Sequence, residues 1–197
     1  MKTLIIATHN QHKFNEISEK LKNFHVNCLS LNDIGWTQEI KEDGNTFLEN
    51  ALHKAKTVSD KHHSIVLADD SGLIVDALPG LLGVKSKRFS PSATKDDNNQ
   101  LLLQMLDGLP NRNARFVSQM VLYYPDGLYY SYQGVVEGSI AFDCKGSNGF
   151  GYDPLFIVKD KQCRMAELSE SEKNRISHRG LALERFIEDL KNESIVI

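Results

Sequence analysis

The sequence has few cysteines, and their spacing excludes the common cysteine-based sites. Only Cys28, Cys144 and Cys163 occur in 197 residues, and no C-x-x-C pair is present. Structural zinc sites and dithiol redox sites are usually built from such pairs, so neither class of site is expected. An odd number of widely spaced cysteines predicts free thiols in a reducing compartment.

Long apolar runs and an excess of positive charge are lacking as well. The apolar run at residues 4–7 is too short for a signal peptide, and no stretch approaches the length of a membrane span. We therefore expect a cytoplasmic protein with no membrane partner. The formal net charge of -3 gives no general positive field for DNA or RNA, which favours a small anionic ligand over a nucleic-acid polymer.

The order of predicted elements indicates one α/β domain over residues 1–197. With 41% hydrophobic residues, a chain of this length can bury a sizeable core. Helices and strands mix along the chain, and one pair of strands forms a hairpin across residues 125–127, which predicts a mixed sheet. The predicted strands lie at residues 4–7, 65–68, 115–124, 128–136 and 155–158, and the predicted helices follow residue 46 and cover residues 98–106 and 178–191.

The two common glycine-rich phosphate motifs are also absent, since neither G-x-x-x-x-G-K-[ST] nor a helix-opening G-x-G-x-x-G occurs. A different polar segment, residues 8–13, follows the first predicted strand and precedes a helix marked by Phe14, Ile17 and Leu21. Hydroxyl, amide and ammonium groups at a helix start favour phosphate binding. The segment alone does not identify a phosphate site.

Two adjacent carboxylates, Asp69 and Asp70, follow the predicted strand at residues 65–68, and Ser71 and Gly72 after them predict a tight turn. Carboxylates at the end of a buried strand can reach a ligand crevice and bind Mg2+ through hard oxygen atoms. The alternative is a turn in which the aspartates cap backbone N–H groups. Glu42, before the next helix, could supply a second acidic group or lie in a solvated turn.

A capping box, Thr46 to Glu49, predicts the start of a helix that ends near residues 59–61. Lys54 falls at the edge of the apolar stripe of this helix, with Asn50 one turn earlier. Lys54 is therefore either a phosphate ligand or a lysine whose stem covers the core while its ammonium stays in water.

The C-terminal half offers groups that could bind a base. Phe150 lies between glycines in the loop at residues 146–151 and could stack on a base or fill the core. Lys173, His178 and Arg179 approach the start of the last predicted helix. They could donate to an anion or a carbonyl there, or form a polar helix start at the surface.

Taken together, these segments resemble the inosine triphosphate pyrophosphatases, also called the Ham1-like family. Each motif is modest, but they appear in the family's order and span the chain from near residue 4 to near residue 190. The matching segments are residues 7–13, 42–55, 68–73, 149–154 and 173–180.

The resemblance implies a role for each matching residue. Glu42 and Asp70 would hold Mg2+, and Asp70 would also accept the proton of the attacking water. The phosphate-binding and substrate-binding residues would be Thr8, His9, Asn10, Gln11, His12, Lys13, Lys54 and Ser71. Phe150 would stack on the purine, and the rest of the base site would comprise Gly151, Tyr152, Asp153, Lys173, His178 and Arg179.

The resemblance also implies the fold and the activity. It predicts an α/β fold of two lobes around a long mixed β-sheet flanked by helices, with the active site in the cleft between the lobes, and a homodimer. The expected reaction is Mg2+-dependent hydrolysis of ITP, dITP and XTP to the monophosphate and pyrophosphate, which would clear deaminated purines from the nucleotide pool. The alternative is a nucleotide-sensing module that binds without hydrolysis.

One segment departs from the family pattern. Residues 80–89 retain Gly80, Gly83, Ser86 and Arg88, but Leu82, Lys85 and Lys87 replace the proline, tyrosine and alanine that are usual in the family. The departure bears on the expected dimer contact and removes none of the residues assigned to the chemistry.

Overall fold

The computed structural model describes residues 2–197, so Met1, the first residue of the predicted domain, lies outside the described residues. Short 3-10 helices are found at Lys22–Phe24, Gly83–Arg88 and Met165–Glu167. The longer elements, in chain order, are β1 (Lys2–Ile6), α1 (Gln11–Leu21), β2 (Val26–Ser30), α2 (Phe47–His62), β3 (Ile65–Val75), α3 (Lys95–Met105), β4 (Asn113–Tyr123), β5 (Tyr129–Ile140), β6 (Phe156–Val158), α4 (Glu170–Ile176) and α5 (His178–Lys191).

Across residues 2–197, six strands form one mixed sheet in the order β2-β1-β3-β4-β5-β6. β1 lies parallel to both β2 and β3, with Leu4 opposite Cys28 on one side and Ile65 on the other. β6 is antiparallel to β5, with Ile157 opposite Ser139. The prediction of an α/β fold with a mixed sheet flanked by helices is confirmed, although β2 and α4 were not among the predicted elements.

The chain divides into two compact units. The first comprises residues up to Asp70 together with 119–133 and 182–197, and the second comprises residues 71–118 and 134–181. Because β3, β4 and β5 each cross a boundary between these ranges, the same strands contribute to both units.

In the first unit, side chains alternate between the two faces of the sheet, as the pleat of a strand requires. Leu67 of β3 packs in a cluster with Ile17 of α1 and with residues of α5. Its neighbours Val66 and Ala68 pack in another cluster with Ala55 of α2. The next two residues of β3 are Asp69 and Asp70, so this alternation places their side chains on opposite faces.

The second unit has a single large apolar cluster. Leu73 and Val75, from the second half of β3, pack there with Leu102 of α3 and Phe156 of β6. Leu82, one of the departures from the family pattern, is 3% exposed and belongs to the same cluster. The substitution therefore places an apolar side chain in the core.

Local signals fixed the start of α2. The Thr46 hydroxyl accepts a hydrogen bond from the Glu49 backbone N–H at 3.1 Å, and the Glu49 carboxylate accepts one from the Thr46 N–H at 3.3 Å. The predicted capping box is thus confirmed. The helix ends at His62, close to the prediction, where His63 takes a left-handed conformation with φ 49°.

The predicted turn at Ser71 and Gly72 is wrong, because β3 continues without a break from Ile65 to Val75. The two aspartates therefore lie within a strand, not at its end, and they do not cap a turn. The polar composition of the segment favours a turn locally. However, Lys13 and Asn50 of the first unit form hydrogen bonds with the two carboxylates, and buried apolar residues follow from Leu73. Tertiary contacts outweigh the local preference here.

The remaining differences lie at helix starts. α1 begins at Gln11, inside the predicted polar segment, because the Asn10 side chain caps it, and α3 begins at Lys95 because Thr94 caps it. α5 covers the predicted residues. Within residues 2–197, no helix is both long and apolar enough to span a membrane.

Arg112 provides a test of the packing of the second unit. It is 9% exposed, and its guanidinium donates to the backbone carbonyls of Ile140 at 2.6 Å, Ala141 at 2.6 Å and Leu106 at 3.1 Å. Arg112→Met leaves buried acceptors unsatisfied and is expected to lower the free energy of unfolding by about 2–4 kcal/mol in denaturant titrations.

Arg115→Met is the matched control for this prediction. Arg115 forms a half-exposed ion pair with Asp76 at 2.8 Å, and such pairs contribute at most about 1 kcal/mol. Equal losses of stability in the two variants would contradict the role assigned to Arg112.

Candidate active site

The two aspartates of β3 have separate partners in the first unit. The Lys13 ammonium forms an ion pair with the Asp69 carboxylate at 2.9 Å. The Asn50 amide donates to the Asp70 carboxylate at 2.8 Å. Both carboxylates are buried, at 4% exposed for Asp69 and 7% for Asp70, so α1 holds one aspartate and α2 holds the other.

Lys54 of α2 joins this acidic group. Its ammonium forms an ion pair with the Glu42 carboxylate and donates to the backbone carbonyl of Asp69 at 2.6 Å. Lys54 is 9% exposed, so its charge lies among protein oxygens. The alternative of an ammonium that stays in water is therefore wrong for this lysine.

Asn50 connects Asp70 to the segment that follows Glu42. The sequence alone did not indicate a role for this residue. Besides donating to Asp70, its side-chain oxygen accepts from the Gly44 N–H at 2.8 Å, and Asn50 is 1% exposed. A Cβ at Gly44 would lie 2.7 Å from that oxygen and 2.8 Å from the Glu49 Cβ. Glycine is therefore required at position 44, two residues after Glu42, because any larger residue would collide with Asn50 and Glu49.

The start of α1 is organised by its own cap. The Asn10 side-chain oxygen accepts from the backbone N–H groups of His12 at 2.9 Å and Lys13 at 3.3 Å, and the Asn10 N–H donates to the Thr8 hydroxyl at 3.1 Å. Asn10 thus occupies two of the N–H groups that could bind an anion. Thr8 and the Asn10 amide group remain close to the helix start.

The two other residues predicted in this segment make outward contacts. His9 lies 3.2 Å from the Asn32 side-chain oxygen, and Gln11 donates to Asn15 at 2.8 Å. Like His12, both are exposed.

Burial raises the pKa of Asp70 above its ordinary value. The positive charge of Lys54 and the hydrogen bond from Asn50 offset part of this effect, while the negative charges of Glu42 and Asp69 add to it. A carboxylate with a raised pKa is a better proton acceptor than an ordinary aspartate.

In the second unit, Asp153 organises the loop that precedes it. Its carboxylate accepts from the Phe150 backbone N–H at 2.7 Å and pairs with the Lys173 ammonium at 2.6 Å, and Asp153 is 3% exposed. A Cβ at Gly149 would lie 2.2 Å from this carboxylate. The buried Asp153 carboxylate therefore holds the Phe150 backbone and the Lys173 ammonium in place.

The Phe150 ring is 46% exposed, so the alternative of a core-filling phenylalanine is wrong. The Lys173 ammonium lies 4.2 Å from the ring centroid and the Arg179 guanidinium 5.7 Å. Both distances are within the range of cation–π attraction. An exposed aromatic face beside two cations is thus formed by residues of α4, α5 and one loop.

His178 and Arg179 open α5 and are 5% and 3% exposed. The junction before them is tight, because the Ser177 hydroxyl accepts from the Gly180 N–H at 3.0 Å and a Cβ at Gly180 would lie 2.0 Å from the Asn174 carbonyl. The His178 imidazole stacks on Phe116 of β4, with centroids 4.9 Å apart and planes 13° apart. Phe116 was not singled out in the sequence.

Tyr152, Gly151 and Ser71 were also predicted to bind the substrate. Tyr152 is 5% exposed, and its hydroxyl donates to the Ser86 carbonyl at 2.7 Å, so that group is committed to the protein. The Gly151 carbonyl accepts from Asn99 of α3 at 3.1 Å, a contact that no local pattern indicated. Ser71 directly follows Asp70 in β3 and is partly buried.

Carboxylates and lysines beside a helix start, as found in the first unit, are typical of α/β proteins that bind phosphorylated ligands. Comparison with known families agrees. The sequence profile of the Ham1 family matches residues 4–189, and the chain belongs to that family.

Curated relatives match over nearly the whole chain. The dITP/XTP pyrophosphatase of Bacillus licheniformis is 47% identical over 189 residues, covering 94% of this chain and 96% of the relative. The dITP/XTP pyrophosphatase of Clostridium tetani is 44% identical over 197 residues, covering 98% of each. Both matches lie well above the identity at which family membership is secure.

Solved structures have the same fold. The Ham1 protein of Coxiella burnetii superposes with a TM-score of 0.93 at 36% identity, over 98% of this chain and 100% of that one. The Ham1 protein of Staphylococcus aureus superposes with a TM-score of 0.91 at 34% identity, with the same coverage.

The raised pKa of Asp70 predicts a pH-dependent effect on stability. Because the folded protein holds the Asp70 proton more tightly than the unfolded chain, stability is lost as the pH rises through the raised pKa. Asp70→Asn removes this loss. The melting temperature of Asp70→Asn minus that of the wild type should therefore be larger at pH 8 than at pH 3, which lies below the ordinary pKa of an aspartate, in EDTA and without nucleotide.

Asp126→Asn, at the exposed turn between β4 and β5, controls for the removal of a carboxylate. A difference between Asp70→Asn and wild type that is the same at both pH values would show that ionised Asp70 is not destabilised by burial.

Proposed function

We propose that this protein hydrolyses ITP, dITP and XTP to the nucleoside monophosphate and pyrophosphate. The observation that carries the proposal is the cluster of buried Asp70 and Lys54 with partly exposed Glu42 in the first unit, where a carboxylate with a raised pKa lies among other oxygen atoms and a cation. The names of the curated relatives, dITP/XTP pyrophosphatase, support the substrate class.

The cluster fits Mg2+ as the cofactor. Glu42 and Asp70 provide hard carboxylate oxygens, and Lys54 links them, because its ammonium pairs with Glu42 and also donates to the carbonyl of Asp69, the neighbour of Asp70. Mg2+ usually takes one or two protein carboxylates and completes its shell with phosphate and water. When bound, it would neutralise phosphate charge and orient the triphosphate.

The chain's own residues would bind the phosphates around that cluster. Thr8, Asn10 and Lys13 lie at the start of α1, where the helix dipole favours anions. Lys13 is held by Asp69 and Lys54 by Glu42 in this structure. Both ammonium groups are thus positioned in advance, and each would share its charge between a carboxylate and a phosphate.

Asp70 would accept the proton of a water molecule that attacks the α-phosphorus. The new bond joins the water oxygen to that phosphorus, the bond to the bridging oxygen breaks, and pyrophosphate leaves with the bonding electrons. The raised pKa of Asp70 suits this step, because a general base works best when its pKa approaches the operating pH. Asn50 holds the carboxylate in place during the transfer.

Residues of the second unit would bind the base. The exposed face of Phe150 would stack on the purine, while Lys173, His178 and Arg179 would donate hydrogen bonds to its 6-oxo group. Adenine carries an amino group at that position and would leave these donors unpaired. Buried donors without acceptors discriminate strongly against a ligand, so ATP is expected to be a poor substrate.

We infer a cytoplasmic homodimer of one pyrophosphatase domain over residues 1–197, acting on free nucleotides without a nucleic-acid polymer or a membrane. Sedimentation of the purified protein tests the dimer directly.

The activity is tested by pyrophosphate release from ITP, dITP, XTP, ATP and GTP, with Mg2+ and with EDTA. We expect metal-dependent release from the first three nucleotides and little from ATP or GTP. Asp70→Asn removes the proton acceptor and should lower kcat by about a hundredfold or more. Asp43→Asn changes an exposed carboxylate beside Glu42 and serves as the control.

Binding of ITP in calorimetry without turnover of any nucleotide would contradict the enzyme proposal and support a nucleotide-sensing module. Equal turnover of ITP and ATP would leave the hydrolysis standing and contradict the assigned base contacts.

A pair of glycines tests the Phe150 loop. Gly149 and Gly151 both have positive φ, at 76° and 56°, but a Cβ meets Asp153 and Lys173 only at Gly149, and nothing lies within 4 Å at Gly151. Both alanine variants carry the strain of a left-handed residue, about 1 kcal/mol. Gly149→Ala also displaces the Asp153 carboxylate that holds Phe150.

We therefore expect Gly149→Ala to raise KM for ITP by about tenfold more than Gly151→Ala does, in steady-state assays with both variants folded. Equal KM values in the two variants would show that the Asp153 contact does not set the position of Phe150.

A further inference from the structure

Phe116 of β4 packs against the only imidazole in the proposed base site, His178. The rings lie nearly parallel, with planes 13° apart and centroids 4.9 Å apart. Phe116 is 7% exposed and His178 is 5% exposed, so the contact is shielded from water. This geometry is an offset stack, which is a favoured arrangement of two rings.

The stack restricts the direction in which the His178 imidazole can donate a hydrogen bond. The N–H groups of an imidazole lie in the plane of its ring, so the plane decides where a hydrogen bond can point. A ring packed flat against a neighbour cannot turn about its Cβ–Cγ bond without losing that contact. Phe116 therefore restricts the plane in which His178 can donate.

Phe116 is itself firmly placed. It lies within the 11-residue strand β4, and its other ring contact is with Phe156 of β6, at a centroid distance of 4.5 Å and an interplanar angle of 48°. Phe156 is fully buried. The pairing of β4 with β3 and β5 thus fixes the surface on which the imidazole rests, and the Phe156 ring only packs beside it.

We propose that Phe116 is a positioning residue that sets the preference for 6-oxo over 6-amino purines by fixing the plane of His178. The inference rests on the proposed function and goes beyond it, since Phe116 lies in none of the five motifs that carry the family resemblance. A purine with a 6-oxo group uses the donor that Phe116 orients, whereas adenine offers no acceptor there. Loss of the stack lowers turnover of ITP and leaves that of ATP nearly unchanged.

The experiment compares Phe116→Leu with Phe156→Leu. Both changes remove one buried ring from the same cluster, but only Phe116 stacks on His178. The ratio of kcat/KM for ITP to kcat/KM for ATP should fall by about tenfold in Phe116→Leu, as expected for directly coupled neighbours. It should stay within about twofold in Phe156→Leu at a comparable loss of melting temperature. Phe116→Tyr keeps the ring face and should retain the ratio.

A double-mutant cycle separates positioning from general destabilisation. If Phe116 acts through His178, then Phe116→Leu has no further effect on the ratio in a His178→Gln background. In addition, the His178 ring-proton resonances should move in Phe116→Leu, because the ring current of the stacked phenyl group is lost, and should stay in place in Phe116→Tyr. This spectroscopic readout does not depend on turnover.

The outcomes distinguish the two proposals. A wild-type enzyme that hydrolyses ITP, combined with equal ratios in Phe116→Leu and Phe156→Leu, overturns the role of Phe116 alone. An effect of Phe116→Leu that persists undiminished in the His178→Gln background also overturns it. A wild type that hydrolyses no nucleotide refutes the proposed function, and this is seen before any variant is compared.

Discussion

The Lys54 ammonium lies among the acidic groups of the first unit, and their arrangement depends on its position. It bonds to the Glu42 carboxylate and to the Asp69 carbonyl, and its charge offsets part of the effect of burial on the pKa of Asp70. Removing one partner from such a buried group leaves uncompensated charge, which is strongly destabilising. Because the Thr46 capping box fixes where α2 begins, it also fixes where Lys54 meets these oxygens.

The features that the sequence predicted well are those with a local cause. The start of α2 follows from a capping box, the β4–β5 hairpin from a turn at residues 125–127, and α5 from its apolar periodicity. The course of β3 could not be predicted, because Asp69-Asp70-Ser71-Gly72 has the composition of a turn. The segment is extended because β3 pairs with β1 and β4, and its two aspartates find partners in Lys13 and Asn50, which are distant in sequence.

The same distinction applies to the candidate site. The groups expected to meet the ligand were found through charge and motif, whereas Asn50, Asn99 and Phe116 were not assigned roles. Each of these three holds another residue in place: Asn50 holds Asp70, Asn99 holds the Gly151 carbonyl, and Phe116 holds the His178 ring. The neighbouring sequence of an amide or aromatic residue within a helix or strand does not reveal such a role. The role depends on which distant residue the fold places in contact with that side chain.

In the altered segment at residues 80–89, the residues retained from the family pattern are those that fix the backbone conformation and its hydrogen bonds. Gly80 and Gly83 have positive φ, at 75° and 65°, and residues with side chains rarely adopt that conformation. The Ser86 hydroxyl bonds to both the N–H and the carbonyl of Leu73, while its own carbonyl accepts from Tyr152. These retained positions connect β3 to the base loop within the second unit. Leu82 fills the core and the two new lysines, Lys85 and Lys87, are exposed, so the substitutions leave that connection intact.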